Sequence, residues 1–237
     1  MSTQPTHAMV LAAGLGLRMR PITEHTPKPL VAVAGRTMLD RALDHLAEAK
    51  AGHLVVNTHW LAHRVAEHLA GRPNLTLSHE DVLLETGGGV AKALPHLGQA
   101  PFYVVNSDII WTDGATPALK RLAEFWDDSR MDALLLMQPT ATAMGYEGAG
   151  DFFLDPAGMP RRRRDREVAP LLFSGVQILS PRLFRDAPSG KFSLNVLYDR
   201  ALDQGRLFGI VHDGRWYHVG TPEALPEVEA ALTTDEA

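Results

Sequence analysis

The sequence predicts an α/β protein: a mixed, mainly parallel sheet with helices on both faces, folded as one domain. Three observations predict it. Short runs of strand length recur, the first from Met9 to Ala13, and they are apolar throughout instead of alternating, as strands covered on both faces are. Stretches of helical period fall between these runs, which is the pattern of β-α units. The chain has 237 residues, enough for one sizeable core or at most two small ones. Sheets of this kind bind ligands at the carboxyl ends of their strands.

The first strand breaks into Gly14-Leu15-Gly16-Leu17-Arg18, a turn with two glycines and a cation. Thr37 then caps a helix, with Asp40 completing a Thr-x-x-Asp variant of the capping box. Leu39, Ala42, Leu43, Leu46 and Ala47 form its apolar face, and Gly52 ends it. Leu54 to Asn57 reads as a second strand, Trp60 to Leu69 as a helix with Leu61, Val65 and Leu69 inward, and Leu75 to Ser78 as a third strand. Leu84 to Gly89 leads into a helix over Val90 to Leu97. Pro101 to Val105 is the next strand, followed by a helix from Thr112 to Trp126 and a strand from Asp132 to Gln138. Arg161 to Arg164, the one basic run, reads as a solvated hairpin tip. Leu171 to Leu179 is a buried strand and Pro181 to Phe184 a short helical turn. Phe192 to Tyr198 opens a helix with Ser193 as cap, ended by Gly205. Strands over Leu207 to Val211 and Arg215 to Val219 follow, and Thr221-Pro222 starts a last helix.

Composition narrows the function classes. A hydrophobic content of 45% with 22% charged residues is ordinary for a globular protein. The net charge of −5 gives no reason to expect nucleic acid or an anionic membrane as partner, so any affinity for phosphate must come from a few placed cations. The absence of cysteine excludes disulfides and thiolate metal sites. No apolar run reaches the ~18 residues of a membrane span. The first residues, MSTQPTHA, lack the basic region and apolar core of a signal peptide. A soluble, cytoplasmic protein is the expectation.

The residues that carry chemistry cluster early. Glycine has no Cβ and tolerates positive φ, so Gly14 and Gly16 let an anion approach the backbone N–H groups. Lys28 follows, held between Pro27 and Pro29, whose φ angles are fixed. Two cations and a glycine turn within a short span suit a polyphosphate, although a glycine turn alone also fits a plain strand-to-loop corner. Two better-known loops are excluded. A dinucleotide fingerprint needs Gly or Ala where Met19 stands, and the one Gly-Lys pair, Gly190-Lys191, precedes Phe192 where a Walker loop needs Ser or Thr. Gly87, Gly88 and Gly89 at a helix start offer bare N–H groups, or else form a flexible loop. Asn106-Ser107-Asp108 stands at a strand's carboxyl end, where a carboxylate makes a good ligand for Mg²⁺ and where Asp is also a common turn residue. His59 and His63 stand at i, i+4 without a third ligand nearby and read as solvated or core histidines.

The string from Leu11 to Leu30 resembles the L-A-A-G-x-G-x-R-M-x-P-x-T…P-K-P-L signature of the sugar-1-phosphate nucleotidyltransferases almost without gaps. Asn106-Ser107-Asp108 is similar to that family's metal-binding G-D element, with Ser107 in place of the glycine. Trp216 to Glu223 is similar to its closing W-x-D-x-G-T-P-E. Leu84-Glu85-Thr86-Gly87-Gly88-Gly89 looks like the version found in bacterial N-acetylmuramate-1-phosphate uridylyltransferases. The resemblance covers about Met9 to Leu225 and implies a Rossmann-like domain of the nucleotidyltransferase or GT-A type. Its nucleotide-binding half would span about 8–130 and its sugar-binding half about 131–237.

What the resemblance implies is transfer of a nucleotidyl group from a nucleoside triphosphate to a sugar 1-phosphate. Arg18 and Lys28 become the catalytic cations. Leu11, Ala12, Ala13, Gly14, Gly16 and Leu17 would face the nucleotide, together with Glu85, Thr86, Gly87, Gly88 and Asn106. Gly150, Asp151 and Asn195 become sugar-side candidates, and Asp108 the ligand of Mg²⁺. Two departures stand out. His218 occupies the place of a second metal-binding aspartate, and imidazole suits Mg²⁺ poorly. The family's sugar-phosphate lysine has no counterpart, so that one of Arg161 to Arg164 takes its place or the contact is lost. UTP with N-acetylmuramate 1-phosphate is the expected substrate pair, and GTP with mannose 1-phosphate the alternative. A non-catalytic nucleotide-sugar-binding subunit is the competing class. A glycosyltransferase is disfavoured because no Asp-x-Asp occurs. No hexapeptide repeats follow the closing motif.

Overall fold

A computed structural model describes residues 4–235. The chain opens with β1 (His7–Leu11), and a loop of short 3₁₀ turns leads to the small ribbon β2 (Ala32–Val33) and β3 (Arg36–Thr37). Then come α1 (Met38–Glu48), β4 (His53–Thr58), α2 (Ala62–His68), β5 (Leu75–His79), α3 (Glu85–Leu97), β6 (Phe102–Asn106) and β7 (Ile109–Trp111). The middle holds α4 (Ala118–Phe125), β8 (Ala133–Pro139), β9 (Ala143–Met144), β10 (Phe152–Leu154), β11 (Pro160–Arg162) and β12 (Leu171–Leu179). The chain closes with α5 (Asn195–Asp203), β13 (Leu207–Val211), β14 (Trp216–His218) and α6 (Ala224–Asp235).

The main sheet runs β5-β4-β1-β6-β12-β8-β13, with the β10–β11 hairpin added beside β12. β5, β4, β1 and β6 are mutually parallel, and β13 is parallel to β8. Antiparallel pairing enters through β12 and the hairpin, giving the expected mixed sheet. β1 shows why its sequence is apolar throughout. Ala8 and Val10 pack with α1, α2 and α4 on one face, while Met9 packs with α3 and α5 on the other. A third core lies under α6 and joins Met19, Met38, Tyr217 and Val219. A separate three-stranded sheet, β7-β14-β9, lays β14 beside the end of β6, with His218 opposite Ile109.

Several boundaries differ from the sequence reading, each for a local reason. β1 ends at Leu11 because the amide of Ala12 leaves the ladder and donates to Asn57 Oδ1 at 2.7 Å. α4 starts at Ala118, not Thr112. The intervening segment follows the unpredicted strand β7, and Asp113 Oδ1 caps the helix at the amide of Ala118 (2.8 Å). α3 starts at Glu85, so the three glycines lie within its first turns instead of preceding it. The β10–β11 tip is built by Asp155, which accepts from the amides of Ala157 and Met159, so the arginines lie on and after β11 and not at the tip. Leu61 adopts φ 50° and is only partly buried, while Val65 and Leu69 are buried as expected. Among the described residues, no helix is long and apolar enough to cross a membrane.

The cap of α1 is formed as the sequence indicates. Thr37 Oγ accepts from the amide of Asp40 at 3.0 Å and its hydroxyl donates to the Asp40 carboxylate at 2.7 Å. Thr37→Ala is expected to lower the unfolding free energy by about 1 kcal/mol without changing the denaturant slope, as read by urea titration.

Candidate active site

The parallel register sets the site. Leu11 pairs with Asn106, so the chain leaves β1 and β6 side by side at their carboxyl ends. Ser107 welds the two exits, since its amide (3.1 Å) and its hydroxyl (2.7 Å) both donate to the carbonyl of Leu11. The serine at the expected glycine position thus adds a bond and costs none.

The loop after β1 is held in shape by small contacts. Gly16 takes φ 62°, and a Cβ there would lie 2.9 Å from Thr23 Cγ2 and 3.1 Å from Lys28 Cβ. Thr23 donates to the carbonyl of Gly16 at 2.7 Å, and Trp60 Nε1 donates to that of Thr23 at 2.9 Å, which ties the loop to the segment after β4. Gly14 has open space where a side chain would project. Leu17 and Arg18 are exposed, and Arg18 makes no hydrogen bond or ion pair among the described residues, so its guanidinium is free for an anion.

Lys28 is carried into the site by a 3₁₀ turn between its prolines. It is buried, and its Nζ lies 2.9 Å from Asp108 Oδ2. Burial alone would raise the Asp108 carboxyl, and the Lys28 ammonium more than reverses this, so Asp108 stays below the ordinary carboxylate value and is ionised at neutral pH. Its side chain is 35% exposed. His218 is shifted down, first by its burial and then by Lys28 and Arg18, against the pull of Asp108. Its imidazole is therefore neutral at pH 7 and stacks on Trp216.

Of these groups Gly14, Lys28, Ser107 and Asp108 line a cavity of about 310 Å³, within the range of about 300–1,000 Å³ common for ligand pockets, whereas Ala12, Gly16, Leu17, Arg18 and His218 are not part of its lining. Leu11, Ala13, Gly14 and Lys28 form one wall, Glu85 and Thr86 the second, and Asn106 and Asp108 the floor. Asn57 and Leu83 also line it, and sequence reasoning missed both. Asn57 carried a usable signal, as a polar residue ending an apolar strand. Three other cavities are larger, two of about 570 Å³ and one of about 350 Å³. One of the larger two contains His45, Glu48 and Asp113, whose ligand atoms lie within 4.8 Å of one another, but none of the three receives any of the glycine-loop residues.

Other expected residues are placed differently. Gly87 and Gly88 do not offer free amides, because both donate to the carbonyl of Phe192 at 2.9 and 3.1 Å. They are glycines for packing: a Cβ on Gly87 would lie 2.3 Å from Phe192 Cε2, and one on Gly88 would lie 2.2 Å from the carbonyl oxygen of Gly190. Thr86 Oγ accepts from the amide of Leu194 at 2.9 Å, which fastens the same crossing.

The sugar-side candidates lie outside the cavity. Gly150 (φ 74°) is a turn residue, where a Cβ would lie 2.2 Å from the carbonyl oxygen of Ala169, and Asp151 Oδ2 accepts from the amide of Phe173. Asn195 Oδ1 accepts from Arg162, which also pairs with Asp199. Arg161 pairs with Glu167 at 2.8 Å, and Arg163 donates to the carbonyl of Gly150. Arg164 alone in the basic run directs no side-chain hydrogen bond to the protein among the described residues. His59 Nδ1 donates to the carbonyl of Glu80 at 2.8 Å, and no metal group forms with His63 among the described residues.

Residues 8–174 match the MobA-like NTP transferase domain. An N-acetylmuramate α-1-phosphate uridylyltransferase of Caulobacter vibrioides is 44% identical over 98% of this chain and 99% of its own. The same enzyme of Neisseria meningitidis serogroup B is 35% identical over 94% of this chain and 96% of its own. The solved inositol-1-phosphate CTP transferase of T. maritima superposes with a TM-score of 0.77 at 15% identity, covering 98% of both chains.

The depressed carboxyl of Asp108 stabilises the fold fully above the ordinary carboxylate value of 3.8, and this contribution is lost as pH falls through the lower folded-state value. Melting temperature recorded from about pH 6 to about pH 2 is expected to fall less steeply for Asp108→Asn than for the wild type.

Proposed function

Since the chain belongs to the MobA-like NTP transferase family and to the sugar-1-phosphate nucleotidyltransferases within it, we propose that it makes UDP-N-acetylmuramate from UTP and N-acetylmuramate 1-phosphate. The observation that carries the reading is the meeting of the glycine loop, Lys28, Asp108 and Asn106 in one cavity at the ends of β1 and β6. The full-length match to two relatives bearing that activity supports the substrate pair. A nucleoside triphosphate substrate fits a cytoplasmic setting.

In this mechanism a phosphate oxygen of the sugar 1-phosphate attacks the α-phosphorus of UTP. A new P–O bond forms, and pyrophosphate leaves with the electron pair of the bond that breaks. The attacking oxygen is already anionic, so the protein supplies alignment and charge stabilisation and no proton shuttle. Arg18 and the amides of the Gly14–Gly16 turn hold the β- and γ-phosphates. Lys28, kept in place by Asp108 in the free protein, turns to the α-phosphate as charge builds there. Asn106 and the turn at Glu85 and Thr86 face the nucleoside.

Nucleotidyltransferases of this family generally use a divalent metal. The donors fit one: Asp108 is a partly exposed hard-oxygen ligand at a strand end, and only its Oδ2 is engaged by Lys28. We assign Mg²⁺ to Asp108, where it supplies charge neutralisation to the phosphates when bound. His218 sets a neutral nitrogen beside this carboxylate in place of a second anion.

Pyrophosphate release should be measured with Mg²⁺ across UTP, GTP, CTP, dTTP and ATP, each with N-acetylmuramate, N-acetylglucosamine, glucose and mannose 1-phosphates. Turnover is expected with UTP and the muramate sugar. Turnover with another pair, such as GTP and mannose 1-phosphate, would keep the class and reject the substrates. Binding of triphosphate without turnover would identify a non-catalytic subunit. In the same assay Lys28→Ala is expected to lower kcat by roughly 10²–10³-fold while weakening triphosphate binding far less. Equal losses in both would count against its role at the α-phosphate.

A further inference from the structure

Glu80 is completely buried, yet among the described residues it has no cationic partner. Buried carboxylates are costly unless well bonded, so what this one bonds to is informative. Its Oε1 accepts from Asn57 Nδ2 at 2.8 Å, and its Oε2 accepts from the amide of Leu84 at 2.9 Å. Asn57, itself 3% exposed, presents its other atom, Oδ1, to the amide of Ala12 at 2.7 Å. The orientation of the Asn57 amide is therefore determined by its neighbours: a carboxylate can only accept, and a backbone N–H can only donate.

The result is one unbroken chain of bonds, from the amide of Ala12 through Asn57 and Glu80 to the amide of Leu84. Ala12 is the first residue of the phosphate-side loop, and Leu84 precedes Glu85 and Thr86 on the opposite wall of the cavity. Space for the dyad depends on a missing side chain. A Cβ on Gly89 would lie 2.8 Å from Glu80 Oε1 and 2.9 Å from Asn57 Nδ2. The third glycine of the run is thus a packing requirement of the dyad and not a ligand contact.

We infer that Asn57 and Glu80 are positioning residues that hold the two walls of the nucleotide cavity, the glycine loop and the Glu85–Thr86 turn, at a fixed separation before the triphosphate binds. This rests on the assignment of that cavity to the triphosphate. It extends that reading by giving Asn57, which lines the cavity, and the fully buried Glu80 bonded to it a role in triphosphate affinity and alignment.

The donor and acceptor pattern supplies its own test. Glu80→Gln keeps the shape but turns one acceptor into a donor, so an N–H faces an N–H within the chain. Asn57→Asp sets two carboxylates against each other. The double variant Asn57→Asp/Glu80→Gln restores every bond. The carboxylate introduced at position 57 accepts from the amide of Ala12 and from the side-chain amide introduced at position 80, whose carbonyl oxygen accepts from the amide of Leu84. The measurements are the dissociation constant for UTP, the steady-state constants for UTP and for the sugar 1-phosphate, and the melting temperature.

Each single variant is expected to lose roughly 10²-fold in kcat/KM for UTP. UTP binding should weaken and the sugar KM stay within about twofold, and the double variant should recover most of the loss. A single variant that melts earlier but keeps its UTP affinity and kcat/KM would overturn the inference, leaving the dyad a stabilising contact. So would a double variant that regains its melting temperature without regaining UTP affinity. If Glu80→Gln does not fold, Gly89→Ala crowds the dyad without removing it and must show the same selective loss for the inference to stand. If the wild type turns over none of the substrate pairs, the catalytic reading fails by itself, while the UTP dissociation constants still decide the role of the dyad.

Discussion

The parallel pairing of β1 between β4 and β6 is the constraint on which the site depends. It sets Leu11 beside Asn106, and it sets Val10 beside Val56, so the residues that leave these three strands emerge at one level. The exit of β1 is then claimed by polar groups from both neighbours: Ala12 by Asn57 of β4, and Leu11 by Ser107 just past β6. The backbone amides and carbonyls that would otherwise be left bare at the strand ends are satisfied laterally, which lets the glycine loop leave the sheet in a defined direction. A cavity bounded by three strand ends needs no further scaffold.

Within that frame the charges are paired. Lys28 is one of the few buried charged residues, and it is held by Asp108. An unpaired buried aspartate would tend to gain a proton. The ion pair keeps Asp108 ionised and holds the long lysine side chain in place, while Arg18 is exposed. His218 is held below the ordinary imidazole value by its burial and by Lys28 and Arg18, against the pull of Asp108.

The glycines do unlike things that their letters do not distinguish. Gly16 is required by its left-handed backbone and by Lys28 packed behind it, and Gly14 leaves open space toward the cavity. Gly87, Gly88 and Gly89 are required by close contact with Phe192, Gly190 and the Asn57–Glu80 pair respectively. The helix amides of Gly87 and Gly88 that looked available to a ligand are spent on the Phe192 carbonyl. The basic run is similar. Arg161, Arg162 and Arg163 look like phosphate ligands in one dimension, yet they are occupied by Glu167, by Asp199 with Asn195, and by the carbonyl of Gly150.

The sequence by itself determined the fold class, the buried strands, the cap at Thr37, the glycine loop, and the assignment of Lys28 and Asp108 to one site. The first four are properties of local pattern: apolar runs, capping residues, and backbone freedom at glycine are readable wherever they occur along the chain. Strand Leu171–Leu179 and strand Leu207–Val211 were legible for that reason and have those bounds in the structure. Tertiary structure alone decided which polar groups are free. Asn57, Glu80 and Leu84 become one bonded unit only when β4, the turn after β5 and the exit of β1 converge. Gly87 and Gly88 lose their amides only when the Phe192 segment crosses α3. A hydrogen bond between residues far apart in the chain leaves no periodic trace in sequence, because its donor and acceptor are brought together by the packing of elements and not by their spacing.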